Sequence, residues 1–170
     1  MNSQVTRADL SPLPPKKHGN KLILSVDDEP VILLTREIVL QREGYAVVSA
    51  RNGGEALKAF LRHAVDLVLL DYAMPEMDGG IVAQEMKQHK PQVPIIMVSA
   101  NQVPDQATLT YIDCYVTKGQ GPVLLLEKIR QLLEPLSDAR RLAKYRVPSC
   151  EYRVRKISVQ RTLLRIRAWL

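Results

Sequence analysis

The chain has 170 residues, 46% of them hydrophobic and 25% charged, which is enough to bury an ordinary core and fits one soluble α/β domain of roughly 100 to 150 residues. Its longest apolar runs fall well short of the roughly 18 residues of a membrane-spanning helix. The net charge of +6 is unevenly divided: residues 21–137 hold 11 Lys+Arg against 15 Asp+Glu, giving −4, and residues 138–170 hold 10 against 2, giving +8. An acidic body with a basic tail is the pattern of a tail that meets an acidic partner, nucleic acid or a membrane surface.

Residues 1–20 carry Ser11, Pro12, Pro14, Pro15, Lys16 and Lys17 without an apolar core, so they read as a flexible leader and not as a secretory signal. A first strand follows at Leu22–Val26, ending in Asp27-Asp28. Pro30 suits a first helical turn, and Val31, Leu34, Ile38 and Val39 mark the expected apolar face of a helix that stops near Gly44. The second strand is Ala46–Ala50. Asn52 then caps a helix, with Glu55 as the return partner of a capping box and Ala56, Leu57, Phe60 and Leu61 as its inner face. The run Asp66–Leu70 is a third strand ending at Asp71. After Pro75 and Asp78-Gly79-Gly80 comes a helix from about Ile81 to His89, then a fourth strand over Val93–Ser99. Residues 101–110 leave room only for a short helix around Pro104 before a fifth strand at Tyr111–Val116. A last helix from about Pro122 to Leu133 has Leu125, Leu126, Ile129, Leu132 and Leu133 as its stripe.

Five buried strands alternating with helices predict a doubly wound parallel α/β sheet in the flavodoxin-like order 2-1-3-4-5. In that order the carboxyl ends of the strands share one rim, and the switch point between the first and third strands delivers Asp27, Asp28 and Asp71 to it. Three carboxylates there make an oxygen site for a hard divalent cation, and Lys118, at the end of the fifth strand, offers a compact positive charge for an anion. Metal, anion and carboxylate together point to phosphoryl chemistry. Cys114 and Cys150 are too few for a disulfide framework or zinc site; Cys114 reads as a small core residue, and a reducing cytoplasm is the expected setting.

Four segments in order, Val26-Asp27-Asp28-Glu29, Asp71-Tyr-Ala-Met-Pro-Glu-Met-Asp78-Gly79, Val98-Ser99-Ala100 and Tyr115-Val-Thr-Lys118, resemble the receiver domains of two-component response regulators, of the single chemotaxis type. The resemblance covers about residues 20 to 135, so the expected organisation is leader 1–20, receiver 21–135 and basic extension 136–170. It implies that Asp71 accepts a phosphoryl group from a partner histidine kinase or phosphotransfer protein. It implies further that Asp28 and Asp71 ligate Mg2+ directly, that Asp27 helps through water, and that the backbone carbonyl of Ala73 completes the protein's share of the metal site. Lys118 would pair with the phosphoryl group and Ser99 would donate to one of its oxygens, with Tyr115 as the aromatic of a switch coupled to Ser99. No enzyme activity is implied beyond self-catalysed phosphoryl acceptance and aspartyl-phosphate hydrolysis. Output would pass through protein contacts on the face around the fifth strand and its flanking helices, as a monomer or a phosphorylation-dependent dimer.

Taken singly, Asp27-Asp28 also suits a helix start, and Asp78-Gly79 suits loop and helix-start chemistry. His18, His63 and His89 are scattered and give no sign of a phosphohistidine relay. Gly119 follows Lys118 where the family usually has proline, the stretch from Ser99 to Lys118 is short, and the usual Gly-Ala before the fifth strand is missing. Ala73 and Asn101 stand where the family tunes dephosphorylation. Beyond Pro135 only 35 residues remain, too few for a three-helix DNA-binding domain. Two alternatives therefore stand beside the phosphoacceptor reading: a regulator whose basic tail binds nucleic acid, and a receiver that binds a partner without phosphorylation.

Overall fold

A computed structural model of the chain describes residues 21–100 and 104–133. The expected leader at 1–20, Asn101 and the basic extension 136–170 lie outside the described residues. Five strands, β1 (Leu22–Val26), β2 (Ala46–Ala50), β3 (Leu67–Asp71), β4 (Ile95–Ser99) and β5 (Cys114–Thr117), form one sheet. Its order is β2-β1-β3-β4-β5, with every pairing parallel. The helices are α1 (Pro30–Arg42), α2 (Gly53–Arg62), α3 (Gly79–His89) and α4 (Gly121–Leu133), with single 3-10 turns at Thr108–Thr110 and Lys118–Gln120.

Strands β1, β3 and β4 are almost wholly buried because both faces of the sheet are covered. Leu24, Val26, Val68, Leu70 and Met97 pack with Phe60 and Met86 on one face, and Ile23, Leu67, Leu69 and Ile96 pack with Leu40 and Ile129 on the other. Register brings the strand ends level, with Val26 beside Leu70, Asp71 beside Val98 and Ser99 beside Thr117. That alignment gathers the polar residues of one rim.

Several boundaries and faces differ from the periodicity reading. Strand β3 ends at Asp71 as expected but starts at Leu67, one residue later than the apolar run at Asp66. Strand β4 starts at Ile95, and β5 is shortened to Cys114–Thr117 because Tyr111 closes the 3-10 turn. Asp113 precedes β5, its Oδ2 accepting from the Ile95 amide at 2.9 Å. The short helix expected around Pro104 is the 3-10 turn at Thr108–Thr110, and the described part of the β4–β5 crossover holds no α-helix. Asn52 caps α2 by accepting from the Glu55 amide at 2.8 Å, but Glu55 returns to the Arg51 amide and not to the cap residue itself.

The largest correction concerns α1. Val31, Leu34 and Ile38, expected inside, are 75%, 59% and 45% exposed, whereas Leu33, Arg36 and Leu40 face the sheet. Positions 33, 36 and 40 are themselves a helical stripe. An arginine in its centre hides the stripe from a hydrophobicity pattern. Leu61 of α2 is likewise exposed, while Ala56 and Phe60 are buried.

Candidate functional site

The rim at the carboxyl ends of β1, β3 and β5 carries the site. Asp27 directly follows β1 and is fully buried, Asp28 is half-buried, and Asp71 ends β3 with only 2% of its surface exposed. One carboxylate oxygen from each of these three residues lies within 4.8 Å of the others. Lys118, immediately after β5, reaches back so that its Nζ is 3.1 Å from Asp27 Oδ2, 3.3 Å from Asp71 Oδ1 and 3.5 Å from Glu29 Oε1. The Glu29 amide donates to Asp27 Oδ1 at 3.1 Å, which couples the start of α1 to the same carboxylate. All three acids and the lysine singled out in the sequence therefore meet.

Sequence reasoning missed a fifth charged group. Arg36 projects from the inner face of α1, 8% exposed, and its NH2 lies 3.0 Å from Asp27 Oδ2. Its signal in the sequence was available: it is one of two arginines in α1 and sits three and four residues from Leu33 and Leu40, the buried positions of that helix.

The acid pocket perturbs its members in defined directions. Burial raises the Asp71 pKa above the ordinary aspartate value; the neighbouring Asp27 charge adds to this, and Lys118 and Arg36 oppose it. For Lys118 burial acts downward, but pairing with Asp27 and Asp71 outweighs it and holds the ammonium pKa above its ordinary value. Burial lowers the Arg36 pKa against the pull of Asp27 and Asp71. Burial is the largest influence on all three groups, and their mutual charges work against it at Lys118 and Arg36.

The loop after Asp71 is held by α3. Gly79 donates its amide to the Tyr72 carbonyl at 2.8 Å, and a Cβ at position 79 would stand 2.2 Å from the Asp71 carbonyl oxygen, so only glycine permits this approach. Asp78 caps α3 by accepting from the Ile81 amide at 3.0 Å. The exposed residue Ala73 lies in this loop, two positions beyond Asp71. On the other flank Ser99 is buried at the end of β4, and Tyr115 of β5 is half-buried in register with Met97. Cys114 is buried in the core cluster under α4, its thiol donating to the Tyr115 carbonyl at 3.7 Å. His63 and His89 are exposed at the ends of α2 and α3, away from the rim.

A parallel sheet covered on both faces, with an acidic triad at its switch point and a lysine reaching to it from the end of β5, defines a doubly wound α/β domain with a polar site on its carboxyl-end rim. Residues 23–130 match the response regulator receiver domain family, and the chain belongs to it. Among curated relatives, the probable transcriptional regulator ycf27 of Porphyra purpurea is 43% identical over 114 residues, covering 65% of this chain and 46% of its own length. The transcriptional regulatory protein GlrR of Escherichia coli K12 is 35% identical over 129 residues, covering 72% of this chain and 29% of its own. The chain thus spans about half or less of the length of these relatives. Response regulator TrrA of Thermotoga maritima, solved in complex with Mg2+-BeF, is 39% identical with a TM-score of 0.64, covering 66% of this chain and 99% of that one. TrrA has also been solved in complex with the histidine kinase ThkA, with 40% identity, a TM-score of 0.63 and coverage of 67% and 99%. The fold is the CheY-like receiver fold, and the chain is a receiver domain of the two-component systems, a family in which phosphorylation and Mg2+ are typical and which pairs with histidine kinases. No described helix is long and apolar enough to cross a membrane.

Proposed function

We propose that this receiver accepts a phosphoryl group on Asp71 from a histidine kinase or phosphotransfer protein in a Mg2+-dependent reaction and signals through protein contacts. The observation that carries the reading is the convergence of three carboxylates within 4.8 Å with Lys118 Nζ 3.3 Å from Asp71 Oδ1. The donor set fits a hard divalent ion: the oxygens come from carboxylates, and Asp28 opens the cluster toward solvent. Asp28 and Asp71 would hold the ion directly, Asp27 through water, with the Ala73 carbonyl as the remaining protein ligand. Bound there, Mg2+ would neutralise phosphoryl oxygens that otherwise repel the carboxylates.

The chain's own groups supply the rest. An Asp71 carboxylate oxygen attacks the phosphorus of a phosphohistidine, the P–N bond breaks, and the departing imidazole nitrogen takes up a proton as the acyl phosphate forms. Lys118, held as a cation by its acid neighbours, pairs with the new phosphoryl oxygens once they draw it from Asp27. Ser99, two strands from β1 and buried, is the hydroxyl proposed to donate to one of them, and Tyr115 is proposed to follow that motion as the switch. Catalysis is confined to this self-modification and to hydrolysis of the acyl phosphate, and the domain acts in the cytoplasm.

The test is incubation of the full chain with Mg2+ and a small phosphodonor, followed by intact-mass measurement of wild type and Asp71→Asn. The reading expects a phosphoryl adduct on the wild type that is lost with EDTA and with the substitution. An adduct of equal yield on Asp71→Asn removes Asp71 from its role. The +8 charge of residues 138–170 favours a second reading in which that segment binds nucleic acid. A salt-dependent mobility shift that vanishes on its deletion would support it.

A further inference from the structure

We propose that Arg36 is a resident counter-cation of the acid pocket, a positioning residue that ties down Asp27 and thereby weakens the site's affinity for a divalent ion. The inference rests on the metal reading above but concerns a residue on α1, a helix that contributes no carboxylate to the cluster.

Three observations carry it. Arg36 occupies the centre of the α1 stripe that packs against the sheet, between Leu33 and Leu40, where an apolar side chain would be the ordinary occupant. A guanidinium at 8% exposure costs desolvation that packing alone does not return. Its NH2 is 3.0 Å from Asp27 Oδ2, while NH1 is buried without a hydrogen-bond partner among the described residues. The residue is therefore held for its charge toward the pocket and not for a full set of hydrogen bonds.

Asp27 Oδ1 accepts from the Glu29 amide, and Oδ2, which has no hydrogen-bond partner among the described residues, lies at ion-pair distance from Arg36 and Lys118 together. Three clustered carboxylates thus meet two cations, Arg36 and Lys118, before any ion arrives. Lys118 is 18% exposed and sits between Asp27 and Asp71, free to turn toward a phosphoryl group. Arg36 is anchored from behind by its helix and has no such freedom. A fixed positive charge beside one ligand acid repels an entering cation, and it also keeps that acid from turning to bind the ion directly. Asp28 and Asp71 are left as the carboxylates that face it.

The test is calorimetric titration of the full chain with MgCl2 at constant ionic strength, together with thermal unfolding in EDTA and in saturating Mg2+. Arg36→Met is expected to tighten Mg2+ binding about tenfold, since a unit charge several ångströms away at an effective dielectric of about 20 is worth at least that factor. The same variant is expected to lose stability in EDTA and recover much of it in Mg2+, because a bound ion supplies the missing charge. Arg36→Lys, which keeps the charge, should stay within about twofold of wild type on the same Coulomb argument. In an Asp27→Asn background the effect of Arg36→Met should shrink by the part that runs through Asp27 and keep the part due to direct repulsion of the ion. Should Arg36→Met not fold, Arg36→Gln carries the same expectations. Unchanged or weaker Mg2+ binding in the charge-free variants overturns the inference while leaving the metal reading intact. An undiminished effect without the Asp27 charge overturns the route through that residue. Absence of Mg2+ binding in wild type and variants alike overturns both readings.

Discussion

Replacing Gly79 with alanine would place a methyl carbon 2.2 Å from the Asp71 carbonyl oxygen and 3.0 Å from the Tyr72 Cα. Non-bonded carbon and oxygen keep at least about 3.0 Å apart, so the start of α3 and the end of β3 must separate by roughly 1 Å. Both partners are backbone, so no side chain can turn aside to absorb the overlap. Overpacking of this kind costs about 1–3 kcal/mol, against which alanine's better helix propensity returns well under 1 kcal/mol at a first helical position. For a domain of this size that is a fall in Tm of about 4–16 °C. The displaced atoms include the backbone of the proposed phosphoacceptor, so the rate of adduct formation with a small phosphodonor should fall together with stability. Gly119→Ala is the matched control, because a Cβ at that position meets nothing within 4 Å and its φ lies outside the positive region. It should leave stability within about 0.5 kcal/mol of wild type. Urea unfolding and a phosphodonor time course on the three proteins provide the comparison. A Gly79→Ala protein as stable and as reactive as Gly119→Ala would refute the argument that α3 fixes the position of Asp71.

Lys118→Met leaves Asp27 and Asp71 buried with Arg36 as their remaining nearby cation, and should cost about 2 kcal/mol in EDTA, less than a fully buried pair because the lysine is 18% exposed. Mg2+ should restore part of that loss in urea titrations, and an equal loss with and without Mg2+ would count against a shared acid pocket. The raised pKa of Asp71 means that the metal-free folded state binds its proton more tightly than the unfolded chain does. Its penalty is therefore absent below the unfolded aspartate pKa and grows as pH rises through the folded one. Asp71→Asn should accordingly raise Tm in EDTA at neutral pH and lose that advantage near pH 4, and a pH-independent difference would contradict the assigned direction. Asp113→Ala strips the Ile95 amide and the Lys87 ammonium of their common acceptor, at 2.9 and 2.7 Å. A loss of about 1–3 kcal/mol is expected by urea unfolding.

The parallel sheet and its acid rim were legible in the residues because buried strands are short apolar runs and each ends on the charged or hydroxyl residue that matters. The chain order of Asp27, Asp71 and Lys118 then needed only the handedness of the crossovers to bring them together. What the pattern concealed was the inner face of α1. Val31, Leu34 and Ile38 are apolar at helical spacing but face outward, and the true inner stripe is interrupted by Arg36, which a hydrophobicity scale scores as surface. The same cause hid the fifth charge of the site, since a buried arginine is explained only by a partner on another element, Asp27 beyond β1. The late start of β5 was hidden for a different reason. Tyr111 and Ile112 read as strand by composition, but the 3-10 turn at Thr108–Thr110 and the Asp113 bond to Ile95 set the first paired residue at Cys114.

An acyl phosphate, unlike a carboxylate, is reduced by borohydride to an alcohol, so brief reaction with a phosphodonor and Mg2+ followed by borohydride and peptide sequencing by mass spectrometry reads the modified residue directly. A phosphoryl-bearing Asp71 should appear as homoserine at position 71, dependent on Mg2+ and on donor. Homoserine at another aspartate position, or phosphorylated protein with Asp71 intact, would contradict the account.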